Sequence, residues 1–189
     1  MDHPVAASGA KHELRSAVLA ARRLLSDRDI AVAREAVRQA VLAHGGTWRS
    51  VAAFEPLRTE LASIELLDAL VQNGIRVIVP VLLDDRDLDW ARWETGGRRA
   101  VREPPSNPTL GRDAISLVDA ALVPALGVDK RGFRLGRGGG SYDRALRRVP
   151  PGIPVAALIY EDEFVPHLPA DAWDVPVTAV VTPAGWVDV

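Results

Sequence analysis

The stretch DAALVPALGVDKRGFRLGRGGGSYDRAL, Asp119–Leu146, passes from an apolar run through a glycine-rich and arginine-rich segment into a helical pattern. Arg131–Leu146 alone holds five glycines, four arginines and an aspartate. Asp119–Leu126 predicts a buried strand, and SYDRALRRV predicts a short helix closed by Pro150 and Pro151. In an open parallel sheet ligands settle beyond the carboxyl ends of the strands, and the glycine segment emerges at such an end. Glycine lets successive backbone N–H groups converge on an anion, and a helix starting near Ser141 adds its N-terminal donors to the same point. Arg134 and Arg137 are suited to grip phosphate oxygens. Asp143, just inside the helix, suits a magnesium ion accompanying those phosphates, because magnesium takes few carboxylates together with phosphate and water oxygens. By composition alone, a solvated glycine loop is the competing reading. No Gly-Lys-Ser/Thr follows, so the segment is not a Walker loop, and it misses the dinucleotide-binding pattern.

Working outward, alternating apolar strands and helices predict an α/β fold: one three-layer α/β/α domain over residues 1–189 with a mostly parallel sheet and N-terminal helices. Ser8 is the expected N-cap of a first helix carrying Leu14, Val18, Ala21 and Leu25 on one stripe, with residues 1–8 as a flexible tail. A second helix runs from about Asp27 to His44 and stops at Gly45-Gly46. SVAAF (Ser50–Phe54) reads as a short buried strand, TELASIELLDALVQNG as a helix closed by Asn73-Gly74, and RVIVP as the next strand. DLDWARW suits an edge strand, GGRRAVREPPSNP is loop chemistry, and PVAALIY and VTAVVTP complete the strands.

Composition narrows the function classes. A chain of 189 residues, 48% apolar, buries one substantial core, and a net charge of −2 argues against a surface built for nucleic acid. The chain has no cysteine, and its four histidines show no paired metal-ligand spacing, which argues against zinc. The opening MDHPVAASGAKHELR lacks the pattern of a signal peptide and no apolar run approaches membrane-spanning length, so the expectation is a cytoplasmic monomer. Of 23 basic residues only Lys11 and Lys130 are lysine, so a lone arginine carries little weight and arginines fixed among glycines carry more.

RLGRGGGSYDRAL resembles the signature of the 5-formyltetrahydrofolate cyclo-ligase family, Arg-Leu-Gly-x-Gly-x-Gly-aromatic-Tyr-Asp. KHELR resembles the family's Lys-x-x-Leu-Arg, FEPLRTE its aromatic-x-x-x-x-x-Glu, REPP its Glu-Pro, and LPADAWDVPVTAVVTP its closing segment, all in order along the chain. The resemblance implies an ATP- and magnesium-dependent carbon–nitrogen cyclo-ligase that closes 5-formyltetrahydrofolate to 5,10-methenyltetrahydrofolate through a phosphorylated formyl group, releasing ADP and phosphate. Residue by residue it implies ATP contacts from Lys11, Arg15, Arg134, Gly136, Gly138, Gly139, Gly140 and Tyr142. It implies folate contacts from Glu55, Glu60, Arg137, Gly139 and Ser141, and metal contacts from Asp143 and Asp174. Lys11, Arg134 and Arg137 are the implied catalytic cations, and the i,i+4 spacing of Lys11 and Arg15 puts both on one helix face. Glu60 would accept from pterin N–H donors, or else serve as a carboxylate in the first turn of its helix. The chain departs from the family at Ser141, where many members carry an aromatic, at Trp173, and at Glu163, where glutamine is common. A divergent ATP-dependent ligase acting on another pterin or formamide, and a non-catalytic nucleotide- or RNA-binding relative, are the alternative readings.

Overall fold

The computed structural model describes residues 4–96 and 108–189, with backbone alone for 4–8. The helices are α1 (Pro4–Arg23), α2 (Asp27–His44), α3 (Ile64–Gln72) and α4 (Ser141–Leu146). The strands are β1 (Ser50–Ala52), β2 (Arg76–Leu82), β3 (Leu88–Arg92), β4 (Ala120–Pro124), β5 (Gly127–Asp129), β6 (Arg134–Leu135), β7 (Val155–Leu158), β8 (Phe164–Val165), β9 (Ala179–Thr182) and β10 (Gly185–Asp188). Seven of them form one sheet in the order β10-β9-β7-β4-β1-β2-β3. Its four inner pairings are parallel, with Val51 opposite both Val77 and Ala120, and its two outer pairings are antiparallel.

The strands are short and buried because each alternates its side chains between two covered faces. Leu122, Leu158 and Val181 point to the side where α2 and α3 bring Val37, Val41, Leu66, Leu67 and Leu70. Ala121, Val123, Ala157 and Val180 point to the other side, covered by Ala145 and Leu146 of α4 and by Ile115 from a 3-10 turn at Arg112–Leu117. Each fully buried leucine contributes about 1.5–3 kcal/mol of transfer free energy. Among the described residues no helix is long and apolar enough to cross a membrane.

The α/β class, the mostly parallel sheet, the α2 span and the edge position of β3 match the sequence reading. Several details differ. The first helix begins at Pro4, not behind a cap at Ser8, and so takes in residues 4–8; proline at the first helical position is preorganised and forfeits no hydrogen bond. Thr59–Ala62 stay outside α3, which starts behind Ser63, whose Oγ accepts the Leu66 N–H at 3.0 Å.

The apolar run from Asp119 divides. β4 ends at Pro124, and β5 joins a separate three-stranded sheet, β6-β5-β8. The glycine loop therefore follows a hairpin and not a strand of the main sheet. Gly132, at φ 82°, makes that hairpin possible, since a Cβ there would lie 2.3 Å from the Val177 carbonyl. Its own carbonyl accepts the Val177 N–H at 2.8 Å. α1 packs on this small sheet, with Val18 and Leu19 against Leu126, Leu135 and Leu168. β10, unforeseen in sequence, folds back on β9 as an antiparallel edge. The REPP segment lies outside the described residues.

Candidate active site

The glycine loop sits among four other segments, each tied to it or to its neighbours by an ion pair or a hydrogen bond. From α1, Arg15 donates through Nε to the Gly136 carbonyl at 2.8 Å. Gly138 stands at φ 99°, a conformation that side-chain-bearing residues rarely adopt, and its Cα faces the guanidinium, whose Cζ would lie in ordinary contact, 3.6 Å, from a Cβ there. One turn earlier Lys11 is buried, and its Nζ donates to Asp171 Oδ2 at 2.7 Å and to Asp174 Oδ2 at 2.6 Å. Burial works to lower the Lys11 pKa, but the two carboxylates more than offset it and hold the ammonium above its ordinary value. Lys11 and Arg15 thus reach the site from one helix face, as their spacing predicts.

Arg134, in β6, is buried and gathers two segments at once. Its Nη1 donates to Asp143 Oδ1 at 2.9 Å and to the Val175 carbonyl at 3.2 Å. The Val175 N–H donates to the same Asp143 oxygen at 3.2 Å. Asp143 in α4 is in this way tied to Val175, the residue that follows Asp174 in the closing segment. The Arg134 Nε and the Tyr142 hydroxyl are buried polar atoms that pair with nothing among the described residues. The Arg134 guanidinium lies 5.9 Å from the Tyr142 ring centroid. Burial, helped by the charge of Glu60, pushes the Tyr142 hydroxyl far above its ordinary pKa, with Arg134 opposing.

At the far side of the loop Arg137 donates through Nε and Nη2 to Glu60 Oε1 at 3.3 and 3.2 Å. Glu60 Oε2 accepts the Leu57 N–H at 2.9 Å, so this buried carboxylate closes a turn after β1 and does not sit in a helix. Glu55 is half-buried in the same segment. Gly139 and Gly140 are exposed, and the Ser141 Oγ lies 3.5 Å from where a Gly139 Cβ would be. Sequence reasoning missed Asp171, the second partner of Lys11. It also left unexplained the glutamate at 163. Glu163 takes a buried bidentate pair from Arg22 of α1, Nε to Oε1 at 2.7 Å and Nη2 to Oε2 at 2.6 Å. A carboxylate there neutralises a guanidinium that a glutamine would leave charged and buried.

Among the described residues no group of three or more histidines, cysteines or carboxylates gathers to hold a metal ion. A magnesium ion that brings its own phosphate and water oxygens needs fewer. Asp143 and Asp174 each commit one carboxylate oxygen to hydrogen bonds and keep the other out of them among the described residues. That donor set fits such an ion.

Fold and site define an open-sheet α/β protein whose glycine loop is held among an ion-paired lysine and arginines drawn from several segments. The family model described as 5-formyltetrahydrofolate cyclo-ligase family matches residues 7–183, and the chain belongs to that family. It is 38% identical over 182 residues to the 5-formyltetrahydrofolate cyclo-ligase of Mycolicibacterium smegmatis, covering 92% of this chain and 93% of that one. The solved 5,10-methenyltetrahydrofolate synthetase of Mycoplasma pneumoniae superposes with a TM-score of 0.75 at 25% identity, covering 92% of this chain and 98% of that one. That of Aquifex aeolicus superposes at 0.77 and 28% identity, covering 94% and 92%.

Proposed function

We propose that the chain closes 5-formyltetrahydrofolate to 5,10-methenyltetrahydrofolate at the expense of ATP, with Arg134, Arg137 and Lys11 as its catalytic cations. The observation that carries this reading is the Arg137–Glu60 contact, which joins the glycine loop to a buried carboxylate suited to a pterin. A phosphate-binding loop and a pterin anchor then face one crevice. Lys11, Arg15, Arg134, Tyr142 and the glycines at 136 and 138–140 take the nucleotide. Glu60, Glu55, Arg137, Gly139 and Ser141 take the folate.

The formyl oxygen attacks the γ-phosphorus, forming an O–P bond as the bond to ADP breaks. N10 then attacks the activated formyl carbon, the C–O bond breaks, phosphate leaves, and N10 gives up its proton. The protein's part is placement and charge: in-line transfer needs its oxygens held and its developing charge met, and fixed guanidinium and ammonium groups do both. Lys11 and Arg134 exchange their aspartate partners for phosphate oxygens. Arg137 leaves Glu60 when pterin N–H donors arrive, which frees it for the phosphate travelling to the formyl oxygen. Magnesium, held by Asp143 and Asp174, would neutralise the triphosphate. Action as a cytoplasmic monomer is part of the same proposal, and fits a chain without cysteine that encloses its core alone.

The test is absorbance growth of the methenyl product from 5-formyltetrahydrofolate with purified protein. Conversion is expected only with ATP and magnesium together. Conversion without nucleotide, or none from folded protein under any nucleotide condition, would overturn the proposal; formylfolate-independent ATP hydrolysis would favour a ligase for another substrate.

A further inference from the structure

Two arginines beside the crevice have no role in the reaction just described. Arg86 ends the turn between β2 and β3, with its N–H donating to the Leu83 carbonyl at 2.9 Å. It stands at φ 64°, the one non-glycine residue in the left-handed region among those described. Glycine or asparagine takes that conformation at less cost, so an arginine here stands against the preference of the backbone. Arg144, in α4, donates through Nη1 to the Arg86 carbonyl at 3.1 Å, which places the two residues together.

Their neighbours are neutralised. Arg112 pairs with Asp85 and Asp87, Arg148 with Asp87 and Asp113, Arg134 with Asp143, and Arg137 with Glu60. Neither Arg86 nor Arg144 has a carboxylate partner among the described residues, and both are exposed. The Arg144 guanidinium thus sits on the Arg86 main chain, and two exposed guanidiniums without carboxylate partners on adjoining residues suit a ligand that brings carboxylates.

Position says which carboxylates. Arg144 Nη1 lies 3.9 Å from where a Cβ on Gly140 would be, at the end of the glycine loop opposite Arg137 and Glu60. The step from Arg137 to Gly140 spans at most about 11 Å. The β2–β3 turn lies at the edge of the main sheet, on the side of β1 away from β4, and Arg15 meets the loop two residues earlier than Arg144, at Gly138. A molecule with hydrogen-bond donors at one end, on Glu60, and carboxylates at the other would run along the loop and finish on these arginines. Resting on the function proposed above, we infer that Arg86 and Arg144 form an anion subsite for the glutamate carboxylates of the folate substrate.

The test compares three substrates: 5-formyltetrahydropteroate without glutamate, the monoglutamate, and the pentaglutamate. In the double variant Arg86→Gly/Arg144→Gln, the KM for the glutamylated forms should rise about five- to thirtyfold. KM for the form without glutamate, KM for ATP and kcat should stay near native. Added salt should shrink the native preference for glutamate. Equal KM changes with and without glutamate, or a rise in the ATP KM instead, would overturn the subsite while leaving the cyclo-ligase function standing. If native protein turned over none of the three, the proposed function would fail first. Calorimetric titration with tetrahydrofolate pentaglutamate would then decide the subsite, and binding absent from the native chain or unweakened in the variant would overturn it.

Discussion

Arg134→Ala separates an arginine that handles phosphate from one that only holds the fold. Truncation removes the bond to Asp143 at 2.9 Å and the bond to the Val175 carbonyl at 3.2 Å. A hydrogen bond to a charged partner contributes about 1.5–3 kcal/mol, and the longer bond to a carbonyl about 0.5–1 kcal/mol. Asp143 keeps 21% of its side chain exposed, so water takes over part of what it loses. The stability cost is then about 2–4 kcal/mol, which for a domain of this size lowers Tm by roughly 4–16 °C and leaves it folded at 25 °C. If Arg134 also meets the charge that develops on the transferred phosphate, a further 2–4 kcal/mol or so is lost from the transition state, and kcat falls about 30- to 900-fold. The assay is turnover by product absorbance, with Tm measured alongside and with Asp143→Asn and the double variant in parallel. A direct phosphate contact makes the double variant slower than either single one. An arginine that merely steadies Asp143 leaves the double variant equal to Asp143→Asn. Arg134→Ala with a lowered Tm but kcat within about twofold of native would refute the catalytic assignment.

Lys11→Met should raise the ATP KM about ten- to a hundredfold while leaving the folate KM near native, because a charge-assisted phosphate contact is lost on the nucleotide side alone; equal effects on both would reassign Lys11 to scaffolding. Asp87 is buried, and the bond from Arg148 holds its carboxyl below the ordinary value against the cost of desolvation. A depressed folded pKa means that its stabilisation is present above the ordinary aspartate value near 4 and is lost as pH falls through the folded value. Asp87→Asn should therefore cost about 1.5–3 kcal/mol at pH 7 and flatten the stability loss below about pH 4, as read by denaturant titration across pH; an unchanged acid limb would remove Asp87 from the account.

What could be read in the sequence was what repeats locally. The stripe in α2, its stop at Gly45 and the apolar runs of β2, β4, β7 and β9 follow from periodicity and glycine. The small sheet escaped because β6 and β8 hold two residues each, too few for any period, and exist only through pairing with β5 across the fold. The start of α3 was misplaced because Glu60 looks like a first-turn acid, whereas its carboxylate caps the Leu57 N–H in a separate turn. In the site, Lys11 and Arg15 were legible from their spacing and the glycine loop from its composition. The partnership of Lys11 with Asp171 joins positions 160 apart, and no local pattern can show it.

Three cations link the segments around the glycine loop through ion pairs: Lys11 with Asp171 and Asp174, Arg134 with Asp143, and Arg137 with Glu60. Lys11, Arg134 and Glu60 are buried, and buried charges cost several kcal/mol each when unpaired, so the free chain satisfies them with its own partners. A ligand must then displace an existing partner, and each exchange alone yields little. In the proposed reaction a nucleotide draws away Lys11 and Arg134 but leaves Arg137 on Glu60. A folate engages Glu60 but leaves the other two cations paired. With both bound, all three cations leave their carboxylates and Arg137 is released toward the transferred phosphate. The same pairing that stabilises the empty crevice therefore works against either substrate acting alone, and it guards the nucleotide from attack by water until the formyl oxygen is in place.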